Sequence, residues 1–484
     1  MAKGPPVSEA TLVQQLAAFA VKSRDDGIPD DVVDDAQRRL LDALGNAYAA
    51  YGTREGSGPE PWESVRRLVT RWGGTPESSA IGVAGRLPAP SAALLNGTLA
   101  HSLDFDDTHL PSVLHPSATV VPAVLAAADT QGSSGLGTLI AIAVGDEICN
   151  RLGMGSYDPS IRNSIFFEHG LHATSICGTV GGAAAVALLL GLDAEGVANA
   201  MAIACSMGAG LIEANRTGGT IKRVHCGWAA HAAVISAQMA EAGITGPPTV
   251  LEGRFGFYEA LSRSWHDADA IVGGLGERWE LLRTFYKPYP SNHFTHAGID
   301  AALAMRTEHG LDPRDIRSME LGLPAPVLRS IAEPRDDKVR PKSGYHAKFS
   351  GPFTVATALV GGGGLGVYLD DFTDAHAADP ERLRLAAAVT CVADDACTAI
   401  FPHQFPAVLR VTTTQGSTLE VRVNANRGGP ENPLSFEELG VKFSLNAGRA
   451  LPAADVKGLH DAVRQLAARP APLELPTTGR ALTG

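Results

Sequence analysis

The first half of the chain is a succession of segments in which apolar residues recur every three or four positions, the period of a helix that buries one face. This spacing predicts helices over residues 11–21, 32–51, 92–103, 118–129, 137–152, 173–190, 194–207, 227–242 and 250–262. Ser8 and Asp30 are placed to cap the first two. Strand-like alternation is almost absent from this half. Small residues line many of the helices, as in Gly181-Gly182-Ala183-Ala184-Ala185, and they let neighbouring backbones approach closely, so a compact bundle is expected.

The pattern changes near Glu277. Residues 279–282 read as a short strand, and Lys287-Pro288-Tyr289-Pro290 must be extended or turned, because a proline disfavours helical backbone in the residue before it. Residues 316–323 read as another strand, and 407–414 with 419–424 as a hairpin around Gln415-Gly416-Ser417. Helices are predicted at 352–360 and 380–398, with a last one at 453–468. The expected fold is mainly α. An all-helical domain occupies residues 1–277, a smaller α+β domain 278–440, and a C-terminal segment, 441–484, returns to the first domain.

Composition adds three constraints. The 484 residues exceed what one hydrophobic core usually holds, which favours two domains. A charged fraction of only 19% suggests surface hidden in a homo-oligomer. A net charge of −12 without any long basic run argues against nucleic acid or an anionic membrane as partner, so an anionic ligand requires a local basic pocket. The N-terminal residues have no export signal, and a cytoplasmic location is expected. The uncharged stretch 173–192 is rich in Gly, Ala, Ser and Thr and reads as a packed core helix, not a membrane span. No C-x-x-C occurs among the six cysteines, so neither disulfides nor an iron–sulfur cluster are expected.

The densest polar cluster is His101-Ser-Leu-Asp104-Phe-Asp106-Asp107-Thr108-His109, followed by His115-Pro-Ser117. A helix continued through it would put His101, Asp104 and Thr108 on one face and turn Asp106 away. A plainer reading is a solvated helix end with Asp107 or Ser117 capping the next helix. Against it stands the apolar helix before the cluster, whose burial would make several unused carboxylates and histidines costly. The D-x-D-D pattern at Asp104 also matches helical terpene cyclases, but those need an aromatic-walled cavity and this chain is 6% aromatic. A divalent-metal site lacks a second acidic cluster with ligand spacing. His172 stands just ahead of the long uncharged helix, where unpaired N–H groups favour an anion and a neutral imidazole. Gly218-Gly219-Thr220-Ile221-Lys222-Arg223-Val224-His225 forms a basic corner with Lys222 and His225 one helical turn apart. Lys287 opens the second domain on a stiff segment, and His293 follows it. The glycine run 361–366 follows no strand and is not a dinucleotide loop.

Taken together these motifs make the sequence similar to the MmgE/PrpD family, whose members include 2-methylcitrate dehydratase, cis-aconitate decarboxylase and iminodisuccinate epimerase. The carriers are residues 96–109, His115-Pro-Ser-Ala118, Gly170-Leu-His-Ala-Thr174, residues 222–231, Glu252-Gly-Arg-Phe-Gly256, Lys287-Pro-Tyr-Pro290, residues 347–353, and Asn432-Pro-Leu-Ser-Phe-Glu437 with Lys442-Phe443. The resemblance implies a helical domain interrupted by an α+β lid, a homodimer, and catalysis in the cleft without metal or organic cofactor. Asp104, Thr108, His115, His172, Lys222 and Lys287 match its active-site positions. His101, Arg223, His225 and His293 are expected to bind substrate. The implied chemistry is that of a lyase on a small di- or tricarboxylate. His115 moves a proton, Asp104 orients it or binds a substrate hydroxyl with Thr108 in support, and Lys222, Lys287 and His172 hold carboxylates. Epimerisation needs the same base and grip, as does decarboxylation, and a non-catalytic acid-binding protein is the reading from another class. Ala173 and Cys226 stand where the family often has proline. Asn292 and Phe353 stand where decarboxylases have histidine and tyrosine, which weakens the decarboxylase reading.

Overall fold

A computed structural model describes residues 10–54, 59–161, 163–214, 219–263 and 265–476. Its longer elements on the helical side are α1 (Leu12–Asp26), α2 (Asp30–Gly52), α3 (Pro61–Trp72), α4 (Ala89–His101), α5 (Ser117–Gln131), α6 (Gly135–Gly155), α7 (Ala173–Leu189), α8 (Ala194–Cys205) and α9 (His225–Glu241). Further along come α10 (His296–Thr307), β1 (Ile316–Leu323), α11 (Gly351–Val360), α12 (Pro380–Ala388), β2 (Val389–Ala393), β3 (Ala407–Thr413), β4 (Thr418–Val423), α13 (Phe436–Ala447) and α14 (Ala453–Arg464). The mainly α class expected from the periodicity is the one observed. Among the described residues no helix is long and apolar enough to cross a membrane.

Helix α7 is the axis of the bundle. Almost all of it is buried, and α5, α6, α8 and α9 pack around it. One large apolar core joins α1–α9 to residues of α13 and α14, including Phe443, Ala447, Val456 and Leu459. A second core lies between α10, α11 and the sheet, with Ile299, Leu321, Phe353, Leu385 and Leu409 inside it. The sheet order is β4-β3-β1-β2. Its first three strands are antiparallel neighbours, and β2 runs parallel to β1 with Met319 opposite Val389.

Several local expectations are corrected. Residues 250–256 form turns and only Phe257–Ser262 is helical, with the Phe257 N–H reaching back seven residues to Val250 O at 2.7 Å, a closure that a continuous helix does not make. Residues 279–282 are not a strand. A 3-10 turn, Glu280–Arg283, leads into the two-residue strand Thr284–Phe285. The single helix expected at 380–398 is α12, strand β2 and a short helix Asp395–Ile400, because Val389-Thr-Cys-Val392 is β-branched enough to pair with β1. Helices α3, α10 and α13 were not read from the periodicity. Ser8 lies outside the described residues. Thr11 precedes α1, where Gln14 accepts the Thr11 backbone N–H at 3.0 Å, while Asp30 is the first residue of α2 and not its cap.

One close approach sets the site. Helices α4 and α9 cross where Gly97 meets Gly227, and a Cβ on Gly227 would lie 2.2 Å from Leu94 O and 2.3 Å from the Thr98 hydroxyl. This contact sets the C-terminal end of α4, bearing His101, beside the start of α9, bearing His225. Gly227→Ala is therefore expected to lower stability by about 1–3 kcal/mol, as overpacking does, measured by denaturant unfolding. An unchanged midpoint would refute the steric account.

Candidate active site

Helix α4 ends at His101 and does not continue through the acidic cluster. Asp104 takes a left-handed backbone, φ 55°, that few residues other than glycine adopt readily. His101, Asp104 and Thr108 are therefore gathered by a loop and not by a helical face. The carbonyls of this loop are gripped in succession. Lys287 Nζ donates to Asp104 O at 2.9 Å and lies 3.2 Å from Asp104 Oδ1. Lys442 Nζ donates to Phe105 O at 2.9 Å while pairing with Asp42 at 2.6 Å, and Asn46 donates to the same carbonyl at 3.1 Å. Thr108 and His109 then pair as a short ladder with Phe285 and Thr284, the residues that lead into Lys287.

Asp106 turns inward, against the expectation from helical spacing. Its Oδ2 lies 2.7 Å from His101 Nδ1 and 3.9 Å from His115 Nδ1. Asp107 does what the plainer reading assigned to it: its carboxylate accepts the Ser117 N–H at 3.3 Å at the start of α5, and it also meets buried Arg39 at 3.3 Å.

His115 Nδ1 lies 2.5 Å from Asp107 O and 3.3 Å from the Thr108 hydroxyl. A carbonyl only accepts, so Nδ1 carries the ring proton and Nε2 keeps a lone pair. The side chain is 18% exposed, whereas those of His101 and Asp106 are almost fully closed off. Burial, together with Lys287 and His101, pushes the His115 imidazole down to about 4 despite Asp106. It is neutral at ordinary pH. His101 goes the other way: burial works against its charge, yet Asp106 raises it to about 10. Burial also opposes the charge on Asp104, but Lys287 and Lys222 hold its carboxyl below the usual range.

His172 precedes α7 as expected, without capping that helix through its side chain. Its Nδ1 instead lies 3.0 Å from His225 Nδ1. The rings of His115, His101, His172 and His225 follow one another at centroid spacings of 5.5, 5.7 and 5.1 Å. Burial and Lys222 push His172 well down, and burial and His101 bring His225 to about 4. Lys222 lies on a 3-10 turn, Ile221–Val224, that precedes α9, so it and His225 do not share one helix. Burial disfavours its charge, but Asp104 and Tyr345 hold it up. Gly218 lies outside the described residues. Arg223 points to Glu60, at 3.0 Å, and stacks on the Tyr345 ring at 4.7 Å. His293 packs edge-on against Phe285.

The loop thus presents a neutral imidazole with a free lone pair. Around it Lys222, Lys287 and the His101 imidazolium outnumber Asp104 and Asp106 by one positive charge. Such a site can accept a proton from carbon while holding an anion. Sequence reasoning did not single out Asp106, Tyr345 or the Asp42–Lys442 pair. Lys442 was marked only as a motif residue, and Tyr345 stands two residues before the 347–353 motif.

Residues 14–268 match the MmgE/PrpD N-terminal domain and residues 289–468 the MmgE/PrpD C-terminal domain. The chain belongs to the MmgE/PrpD family and is an enzyme of the dehydratase/decarboxylase type. It is similar to a cis-aconitate decarboxylase-like protein of Aspergillus oryzae, 26% identical over 95% of each chain. It is also similar to the cis-aconitate decarboxylases of Aspergillus terreus, 26% identical over 95% of this chain and 94% of the relative, and of Homo sapiens, 29% identical over 91% and 88%.

Proposed function

We propose that the protein is a cofactor-independent lyase that removes a proton beside a carboxylate of a small di- or tricarboxylate. The observation that carries this reading is His115, with Nδ1 tied to the Asp107 carbonyl and the opposite nitrogen bare, set among Lys287, Asp104 and Asp106. In this reading Lys222 and Lys287 hold substrate carboxylates, with His172 and His225 lining the far wall. Asp106 fixes the His101 imidazolium, whose charge favours the anion formed when the proton leaves. Thr108 supports His115. Residues 278–440 serve as a lid over helical residues 1–277, and 441–484 complete the helical side. Arg223 acts through Tyr345 and Glu60 and not on substrate directly. The exposed apolar side chains of Leu211, Ile221 and Trp228 support a homodimer in which a second copy covers them.

The experiment is solvent exchange. Citrate, 2-methylcitrate and cis-aconitate, incubated with the enzyme in deuterium oxide, are expected to gain mass at a carbon next to a carboxylate, with water lost or added. No exchange into any small polyacid would sink the proposal. A second reading, decarboxylation of cis-aconitate, draws on the names of the relatives and is read out as released carbon dioxide.

The pH profile carries its own expectation. The base works only when neutral, so kcat/KM should fall as pH drops through about 4, and the loss of the His101 charge should bring it down through about 10. A rate that halves near pH 6.5, the ordinary histidine value, would contradict this assignment.

A further inference from the structure

Beneath the loop that carries His115, three buried residues stand in line: Asp107 of the loop, Ser117 at the start of α5, and Asp146 in α6. Ser117 Oγ lies 2.5 Å from Asp107 Oδ2 and 2.9 Å from Asp146 Oδ2. A hydroxyl has one hydrogen and an ionised carboxylate only accepts, so Ser117 donates to one of the two and the other must bring a proton of its own. Asp107 is the ionised member. Its carboxylate meets the Arg39 guanidinium at 3.3 Å and accepts the Ser117 N–H at 3.3 Å. Asp146 makes no ion pair among the described residues, and its Oδ1 has no hydrogen-bond partner there. Leaving that oxygen bare costs far less on a neutral acid than on a carboxylate. Burial, together with the charge on Asp107, pushes Asp146 well above the usual carboxylate range.

We propose that Asp146 is a positioning residue for the base, a buried neutral acid that donates to Ser117 Oγ and so leaves the Ser117 hydrogen for Asp107. Asp107 is where this hold matters, because its backbone carbonyl accepts the His115 Nδ1–H at 2.5 Å and thereby decides which ring nitrogen stays bare. The role rests on the reading of His115 as the proton acceptor. An ionised Asp146 would set two carboxylates around one hydroxyl, against a single guanidinium that Arg39 already shares with Asp35 at 2.9 Å. Like charges at that spacing repel, and the loop would be driven off the start of α5. Asp146 touches no substrate and acts only through Ser117 and Asp107.

Infrared difference spectra of wild type against Asp146→Asn at neutral pH read the proton directly. The carbonyl stretch of a protonated carboxyl should be present in wild type and missing from the variant, and its absence from wild type overturns the proposal. Solvent deuterium exchange into the polyacids, followed to saturation, reads the role. Asp146→Asn, whose amide can donate to Ser117 and cannot ionise, should keep kcat within about twofold of wild type. Asp146→Ala should lower kcat by about tenfold or more while KM changes by less than about twofold, since the ring is misplaced and the lysines that hold carboxylates are untouched. If that variant does not fold, Ser117→Ala takes its place with the same expectation. A wild-type kcat in the folded alanine variant, or a loss in Asp146→Asn as large as in Asp146→Ala, overturns the positioning role. His115→Ala separates that failure from failure of the base. Exchange in it at the wild-type rate sinks both, whereas slow exchange in it beside a wild-type kcat in Asp146→Ala sinks the role of Asp146 alone.

Discussion

Lys287→Ala is expected to lose roughly a thousandfold in kcat/KM and, separately, about 3 kcal/mol of stability. The two effects have different origins. The lysine is 1% exposed and meets both the backbone carbonyl and the carboxylate of Asp104, so its removal strands a buried charge on a loop that already holds a left-handed backbone at that residue. In the proposed mechanism it also removes a cation from beside the place where negative charge develops. Lys287→Arg is not expected to rescue, because a planar fork cannot replace a compact ammonium between two oxygens of one residue. The stability loss should be partly recovered in Lys287→Ala/Asp104→Asn, where the stranded charge is gone, while the rate stays low. Denaturant unfolding of the four-member cycle measures the first effect and steady-state kinetics the second. If the double variant is no more stable than the single one, the buried pair is not what the lysine contributes.

His115→Ala should show the opposite division. Deuterium exchange is expected to fall by about 10²–10⁴, the usual contribution of a positioned base, with a stability change under about 1 kcal/mol. The ring is neutral and partly exposed, and among the described residues its hydrogen-bond partners are the Asp107 carbonyl and the Thr108 hydroxyl. Exchange at the wild-type rate would remove His115 from the mechanism. A fall in exchange with unfolding at much lower denaturant would recast it as a loop anchor.

The helical half was legible in the sequence because its helices carry the three-to-four spacing over long stretches, as α2, α6 and α7 do. Strand β2 was not, since Val389-Thr-Cys-Val392 follows α12 without a break and only its pairing with β1 identifies it. The polar loop was legible as a set of residues but not as a shape. Helical spacing assigned Asp106 outward, and the turn forced by the left-handed Asp104 reverses that, giving Asp106 to His101. Lys442 was visible only as part of a motif. Its partners, Asp42 and the Phe105 carbonyl, are about four hundred and three hundred and forty residues away, beyond any local pattern. His172 and His225 were both singled out, yet nothing local indicates that their rings meet each other.

The grip of Lys442 on the Phe105 carbonyl has a consequence for the order in which the protein is made. Every side chain proposed to touch substrate lies before residue 427, so a nascent chain carries the whole chemical complement before α13 is made. The loop that arranges it is still untied at that point, because the ammonium that secures Phe105, and the apolar face of α13 packed on α2, are synthesised after it. Competence is therefore expected to wait for α13, and a transcript cut short ahead of it to yield a chain with its reactive groups and no ordered site.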